Sequence, residues 1–154
     1  MSKANIERAE NLSISPGQKS LIVSGAILFL FGLLQGAAVH MFANPRMALS
    51  AHLTAVQSGL ALMVTGAVWG AVSLKPRLQT ASQWRIMVGM YGLWLGLTLS
   101  AASGASDALP IAGAGHSAGR FVEAVVSIVV LGSSGLVTAG WLVFVVGLAR
   151  SKPV

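Results

Sequence analysis

Three histidines, His40, His52 and His116, stand near a small set of other reactive side chains: Asn44, Arg46, Asp107, Arg120 and Glu123. Imidazole titrates near neutrality and can both give and take a proton. A carboxylate beside it would fix its orientation or stabilise its charge, and a guanidinium or amide would hold an oxygen that is leaving. The 154 residues include no cysteine, which removes thiolate nucleophiles, disulfides and thiolate metal sites together. Every histidine, and every carboxylate beyond the N-terminal tail, belongs to this one set. Such a concentration of polar groups predicts a single site.

The elements that must position these residues are membrane helices. Hydrophobic residues make up 55% of the chain and charged residues 9%, against about 25% charged in ordinary globular chains. Fourteen charges cannot wet a soluble surface of this size, and the mean hydropathy of +0.77 agrees. Uncharged runs separate Lys19 from Arg46, Arg46 from Lys75, Arg85 from Asp107, and Glu123 from Arg150. Each is long enough for the roughly 20 residues that cross a ~30 Å hydrocarbon core. Four transmembrane helices are predicted, at about 20–43, 46–74, 85–103 and 121–149. The expected fold is an all-α integral membrane four-helix bundle over 20–150, preceded by a polar segment 1–19 with no assigned function. All five prolines fall outside these spans or in a first turn, where the missing N–H costs nothing.

The formal charge of +6 would suit a nucleic-acid partner if it were concentrated. The ten cations are instead scattered between apolar stretches, which argues against nucleic acid and for topology. Eight lie before the first span, between the second and third, or after the fourth; only Arg46 and Arg120 lie in the other two connections. Both termini are therefore expected in the cytoplasm, with the protein multi-pass in the bacterial inner membrane. The first span is too long, and preceded by too much polar chain, for a cleaved signal peptide. Gly32 with Gly36, Gly66 with Gly70, and Gly92 with Gly96 place small residues one turn apart, as does the cluster Gly132-Ser133-Ser134-Gly135. Such stripes let helices approach closely within the bundle or between copies in a homo-oligomer.

The two outward connections then carry the chemistry. In the first, Asn44 and Pro45 read as the N-cap and first residue of the second helix. Arg46 sits at the positive end of that helix, where a cation wants an anionic partner. At ~1.5 Å per residue His52 lies roughly 9 Å deeper, and Gln57 about 7 Å deeper still. Polar groups at such depth normally face the bundle interior. His40 stands one turn before Asn44, near the same corner. The second connection, 104–120, is glycine-rich and nearly uncharged, so it is expected to fold back on the helix ends, carrying His116 over the outer mouth. Glu123 either pairs with Arg120 at i,i+3 or points inward as a counter-ion to Arg46 or a histidine.

Asn44-Pro45-Arg46-Met47, Leu49-Ser50-Ala51-His52-Leu53, Gln57, Gly59 and later Pro110-Ile111-Ala112-Gly113-Ala114-Gly115-His116, with a Glu opening the last span, resemble the hydroxylaminobenzene mutase family. The likeness runs from about residue 20 to 150. In two respects this sequence departs from that pattern: the polar N-terminal segment is longer, and the third span reads Tyr91-Gly92-Leu93-Trp94 with no polar Asn beside the Trp. The resemblance implies a small four-span bacterial isomerase that moves a hydroxyl from nitrogen to the ortho ring carbon, turning aryl hydroxylamines into 2-aminophenols without net redox change. Heterolysis of N–O requires an acid at the departing oxygen, and the arylnitrenium-like charge must be kept from bulk water. On this reading His52 and His116 serve as acid and base, Glu123 orients or stabilises one imidazole, and Arg46 with Asn44 holds the hydroxyl. Gln57, Tyr91 and Trp94 complete the substrate-binding set.

The resemblance requires no cofactor. A metal ion held by His52 and His116, with His40 or Glu123, is an alternative Lewis acid for the oxygen. A different class of function, a histidine-ligated haem or quinol-binding electron-transfer protein or a small transporter subunit, is also compatible with histidines at one end of a bundle.

Overall fold

A computed structural model describes residues 14–151; the N-terminal segment with Lys3, Glu7, Arg8 and Glu10, and Lys152 near the C-terminus, lie outside the described residues. Four helices follow one another: α1 (Pro16–Ala37), α2 (Pro45–Val68), α3 (Pro76–Ser103) and α4 (Arg120–Ala149). Single 3-10 turns, Val39–Met41 and Trp69–Ala71, follow α1 and α2. All four helices are long and apolar enough to cross a membrane.

Local chemistry sets the helix starts. Pro16, Pro45 and Pro76 each occupy a first helical position, where the fixed φ suits the helix and no N–H is missed. Ser15 opens α1 through a capping box: its hydroxyl accepts from the N–H of Gln18, whose side chain accepts from the Ser15 N–H. That box starts α1 at Pro16, four residues before the expected boundary, and the chain leaves the helix at Ala37 rather than 43. The third helix begins nine residues before the expected 85, because its first turns carry Arg77, Gln79, Thr80, Gln83 and Arg85. A helix entering a membrane needs apolar residues only where it meets hydrocarbon, so counting uncharged residues underestimates its length. Gly104, at φ 80°, ends α3 in the left-handed conformation that favours glycine.

The helices pack in chain order: α1 along α2, α2 against α3, α3 along α4, with a lighter contact from α1 to α3. Glycines make the close crossings. A Cβ on Gly25 would lie 2.6 Å from the Gly59 carbonyl, and one on Gly89 would lie 2.8 Å from the Val137 nitrogen. Gly92 and Gly96 likewise face Ser133 and Val130 of α4, whereas Gly132 and Gly135 open onto empty space. Between α3 and α4 the Ser82 hydroxyl donates to the Gly140 carbonyl (2.8 Å). At the end where α1 begins, Trp69 stacks on Phe144, their centroids 5.8 Å apart, linking the end of α2 to α4. Leucines, isoleucines and valines such as Leu30, Ile128 and Leu131 are exposed around the outside, the arrangement expected where lipid is the solvent.

Candidate active site

One turn of α1, from Phe31 to Gly36, receives polar and aromatic groups from two other helices. From α2 comes His52, two turns below Asn44 and half-buried. Its Nδ1 lies 2.7 Å from the Gly32 carbonyl oxygen. A carbonyl can only accept, so Nδ1 carries the proton and Nε2 keeps its lone pair for a substrate or an ion. Gly36 makes room for the ring, because a Cβ there would come within 2.8 Å of His52 Cε1. The Gly32/Gly36 pair is thus a seat for an imidazole as well as a packing surface.

From α3 comes Trp94. Its Nε1–H donates to Gln35 Oε1 (2.6 Å), while Gln35 Nε2 donates to the Thr98 hydroxyl (3.1 Å) and that hydroxyl donates to the Trp94 carbonyl (2.7 Å). Phe31 stacks on the indole at 5.3 Å, and Tyr91 meets it edge-on at 6.5 Å. The Tyr91 hydroxyl donates to the Ser24 carbonyl (2.8 Å). The polar contact from α3 therefore comes from Trp94 and Thr98, with no Asn needed. Sequence reasoning passed over Gln35, Phe31 and Thr98. The signal was present for Gln35, an amide inside the apolar first span that must find partners there.

The outer loop is folded back on the helix ends, as expected. Asn44 is fully buried beneath it: its Oδ1 accepts from the Met47 N–H (3.1 Å), its Nδ2 donates to the Ala112 carbonyl (3.2 Å), and its own N–H donates to the Ala101 carbonyl (2.9 Å). One residue caps α2, holds the loop and ties both to α3. Glu123 is buried one turn into α4. Its carboxylate accepts from the backbone N–H groups of Ser106, Asp107 and Ala118 at 2.9–3.1 Å. Those bonds correct the expected pairing: the carboxylate serves the loop backbone instead of Arg120, Arg46 or an imidazole. It bears on His116 only indirectly, since the clamped Ser106 donates its hydroxyl to the His116 carbonyl (2.8 Å).

The remaining candidates are not drawn into the same place. His40, Arg46, Asp107, His116 and Arg120 are exposed at the outer end, and Gln57 is exposed on α2. Among the described residues no three of His, Asp and Glu come close enough to share a metal ion. The candidate set His52, His116, His40 and Glu123 therefore forms no common coordination site, and the Nε2 of His52 is the ligand atom best prepared, its other nitrogen being fixed by Gly32. The outer-mouth cluster divides into a loop anchored by Asn44 and Glu123, a set of exposed charges, and a deeper imidazole seated on Gly32 and Gly36 of α1.

Two known proteins are similar to this chain over most of its length. Hydroxylaminobenzene mutase HabA of Ectopseudomonas oleovorans is 34% identical over 134 residues, covering 86% of this chain and 99% of that protein. Hydroxylaminobenzene mutase HabB of the same organism is 34% identical over 121 residues, 78% of this chain and 74% of that protein. No solved structure matches significantly. The profile described as styrene oxide isomerase matches residues 17–149, which span all four helices, the seat of His52 and both loop anchors. The chain belongs to the styrene oxide isomerase family.

Proposed function

We propose that this chain is a membrane isomerase converting hydroxylaminobenzene-type aryl hydroxylamines to 2-aminophenols. Its similarity to two proteins named hydroxylaminobenzene mutase over most of its length favours this reading over electron transfer or transport. The observation that carries the chemistry is the Nδ1–H of His52 bound to the Gly32 carbonyl, which leaves Nε2 as the exchangeable position. In the imidazolium form Nε2–H protonates the hydroxylamine oxygen. The N–O bond then breaks with both electrons leaving on oxygen, and the same oxygen adds at the ortho carbon. Nε2 takes back one proton as the ring regains aromaticity, so nothing is oxidised or reduced. Styrene oxide and hydroxylaminobenzene, the two substrates in the family's names, share an aromatic ring beside a labile bond to oxygen. Both need an acid at that oxygen and a dry site for the benzylic or nitrenium-like cation.

Trp94, with Phe31 on its face and Tyr91 at its edge, supplies the aromatic wall for the substrate ring, and Gln35 fixes the indole. His116 and Arg46, exposed at the outer end, act in proton exchange and in attracting the polar head of the substrate. Asn44 and Glu123 are positioning residues. The reaction needs no added cofactor in this reading, and chelation distinguishes it from a metal ion on His52. Both termini face the cytoplasm of a bacterium, and copies associate through α4, where a Cβ on Gly132 or Gly135 would meet none of the described residues within 4 Å. Anaerobic incubation of the purified protein with hydroxylaminobenzene, without reductant, is expected to yield 2-aminophenol before and after chelation. No product from folded protein would overturn the proposal, and loss of activity on chelation would assign the acid role to a metal.

A further inference from the structure

At the end of the molecule opposite His52, the chain between α2 and α3 docks against the end of α4. The Ser73 N–H donates to the Gly147 carbonyl (3.0 Å), and a Cβ on Gly147 would lie 2.6 Å from Leu74 Cγ. This tight junction forms the floor of a cavity of about 640 Å³ lined by Ser73, Leu74, Lys75, Leu78 and Arg150. A second, apolar cavity of about 240 Å³ shares Leu74, Leu78 and Arg150 with the first and continues along α4 past Val146 to Leu142. A cleft carrying two cations at the membrane boundary thus lies beside an apolar cleft along α4, with Leu74, Leu78 and Arg150 as their common wall.

Among the described residues the charge at this end has one sign: Lys19, Lys75, Arg77, Arg85 and Arg150 lie here, while the carboxylates Asp107 and Glu123 both lie at the other end. Lys75 and Arg150 share a cavity with no described acid to balance them. We propose that the two adjacent clefts bind one anionic phospholipid, its phosphate between Lys75 and Arg150 and an acyl chain along Leu78, Leu142 and Val146. Basic pockets between membrane helices suit anionic headgroups, and the apolar continuation selects a lipid over a free anion. Such a lipid would bridge the α2–α3 connection to the end of α4, a helix whose main helical partner is α3.

Native mass spectrometry of the whole protein, released from neutral detergent micelles doped with dioleoyl-phosphatidylglycerol, tests this. The wild type is expected to retain the lipid, and Lys75→Gln with Arg150→Gln to bind it roughly thirtyfold more weakly, from two lost contacts of about equal worth. Leu142→Trp, which fills the apolar cleft without changing charge, is expected to weaken binding as well. Lys19→Gln with Arg85→Gln, an equal loss of charge at the same end but outside the cavity, is expected to leave retention unchanged. Equal retention of dioleoyl-phosphatidylcholine, an equal loss in the Lys19/Arg85 pair, or unaltered retention in the Lys75/Arg150 pair would overturn the proposal. Complete displacement by inorganic phosphate would do so too, by showing a site for the anion alone.

Discussion

The Nδ1 of His52 is held 2.7 Å from the carbonyl oxygen of Gly32, so α1 dictates which nitrogen of an α2 side chain is available for chemistry. His52→Ala is expected to lower kcat for isomerisation by about 10²–10⁴-fold, the usual contribution of a positioned acid–base group. Circular dichroism should show unchanged helix content. Turnover within a few-fold of wild type would remove His52 from the mechanism.

Gly36→Ala provides a subtler test, because it deletes no functional group. The added methyl would sit 2.8 Å from the His52 ring and must push it aside. Misplacement of a catalytic group by about 1 Å can cost on the order of 10²-fold. A loss of at least tenfold in kcat is expected, with melting temperature little changed; wild-type kinetics would show that the seat is only packing.

Trp94→Phe keeps an aromatic ring but strips Gln35 Oε1 of its donor. Leaving such a group unpaired costs about 1–3 kcal/mol, so lower thermal stability and a raised KM are expected. Gln35→Leu in the same background should recover part of the stability, since the unpaired amide is then gone. If the double variant is no more stable than the single one, the hydrogen bond is not what matters at Trp94.

Glu123→Ala removes the acceptor shared by three loop N–H groups. Faster proteolytic cleavage between Gly104 and Gly119 is expected, with Glu123→Gln intermediate because one carbonyl oxygen remains. Arg120→Gln, at the neighbouring exposed cation, should cleave at the wild-type rate. Identical cleavage of all four proteins would contradict the clamp.

Hydroxylaminobenzene labelled with heavy oxygen at the hydroxyl distinguishes transfer within the site from capture of bulk water. Mass spectrometry of the 2-aminophenol is expected to find the label retained. Its complete replacement by solvent oxygen would mean that the site does not exclude water during the reaction.

Much of the architecture could be read directly from the residue order. Charge-free runs located four spans, and Asn44-Pro45 announced the start of α2, because capping and proline geometry act within a few residues. Glu123 resisted the same treatment. Its partners are backbone groups at 106, 107 and 118, which carry no side-chain signature, so its carboxylate invited an ion-pair reading. His116 and His52 looked equivalent as letters, yet one is on an exposed loop and the other between two helices. Gln35 was overlooked because a single amide among apolar residues resembles tolerated polarity until Trp94 and Thr98 are seen on either side of it.

The clamp on the outer loop also imposes an order of assembly. Ser106, Asp107 and Ala118 are all synthesised before Glu123, so the segment that covers the outer ends of α2 and α3 cannot be fastened until α4 has begun to emerge from the ribosome. Until then the seat of His52 already has both its helices, and of the two loop anchors only Asn44, through the Ala112 carbonyl, is in place. Closure of the outer face thus waits on the first turn of the final helix.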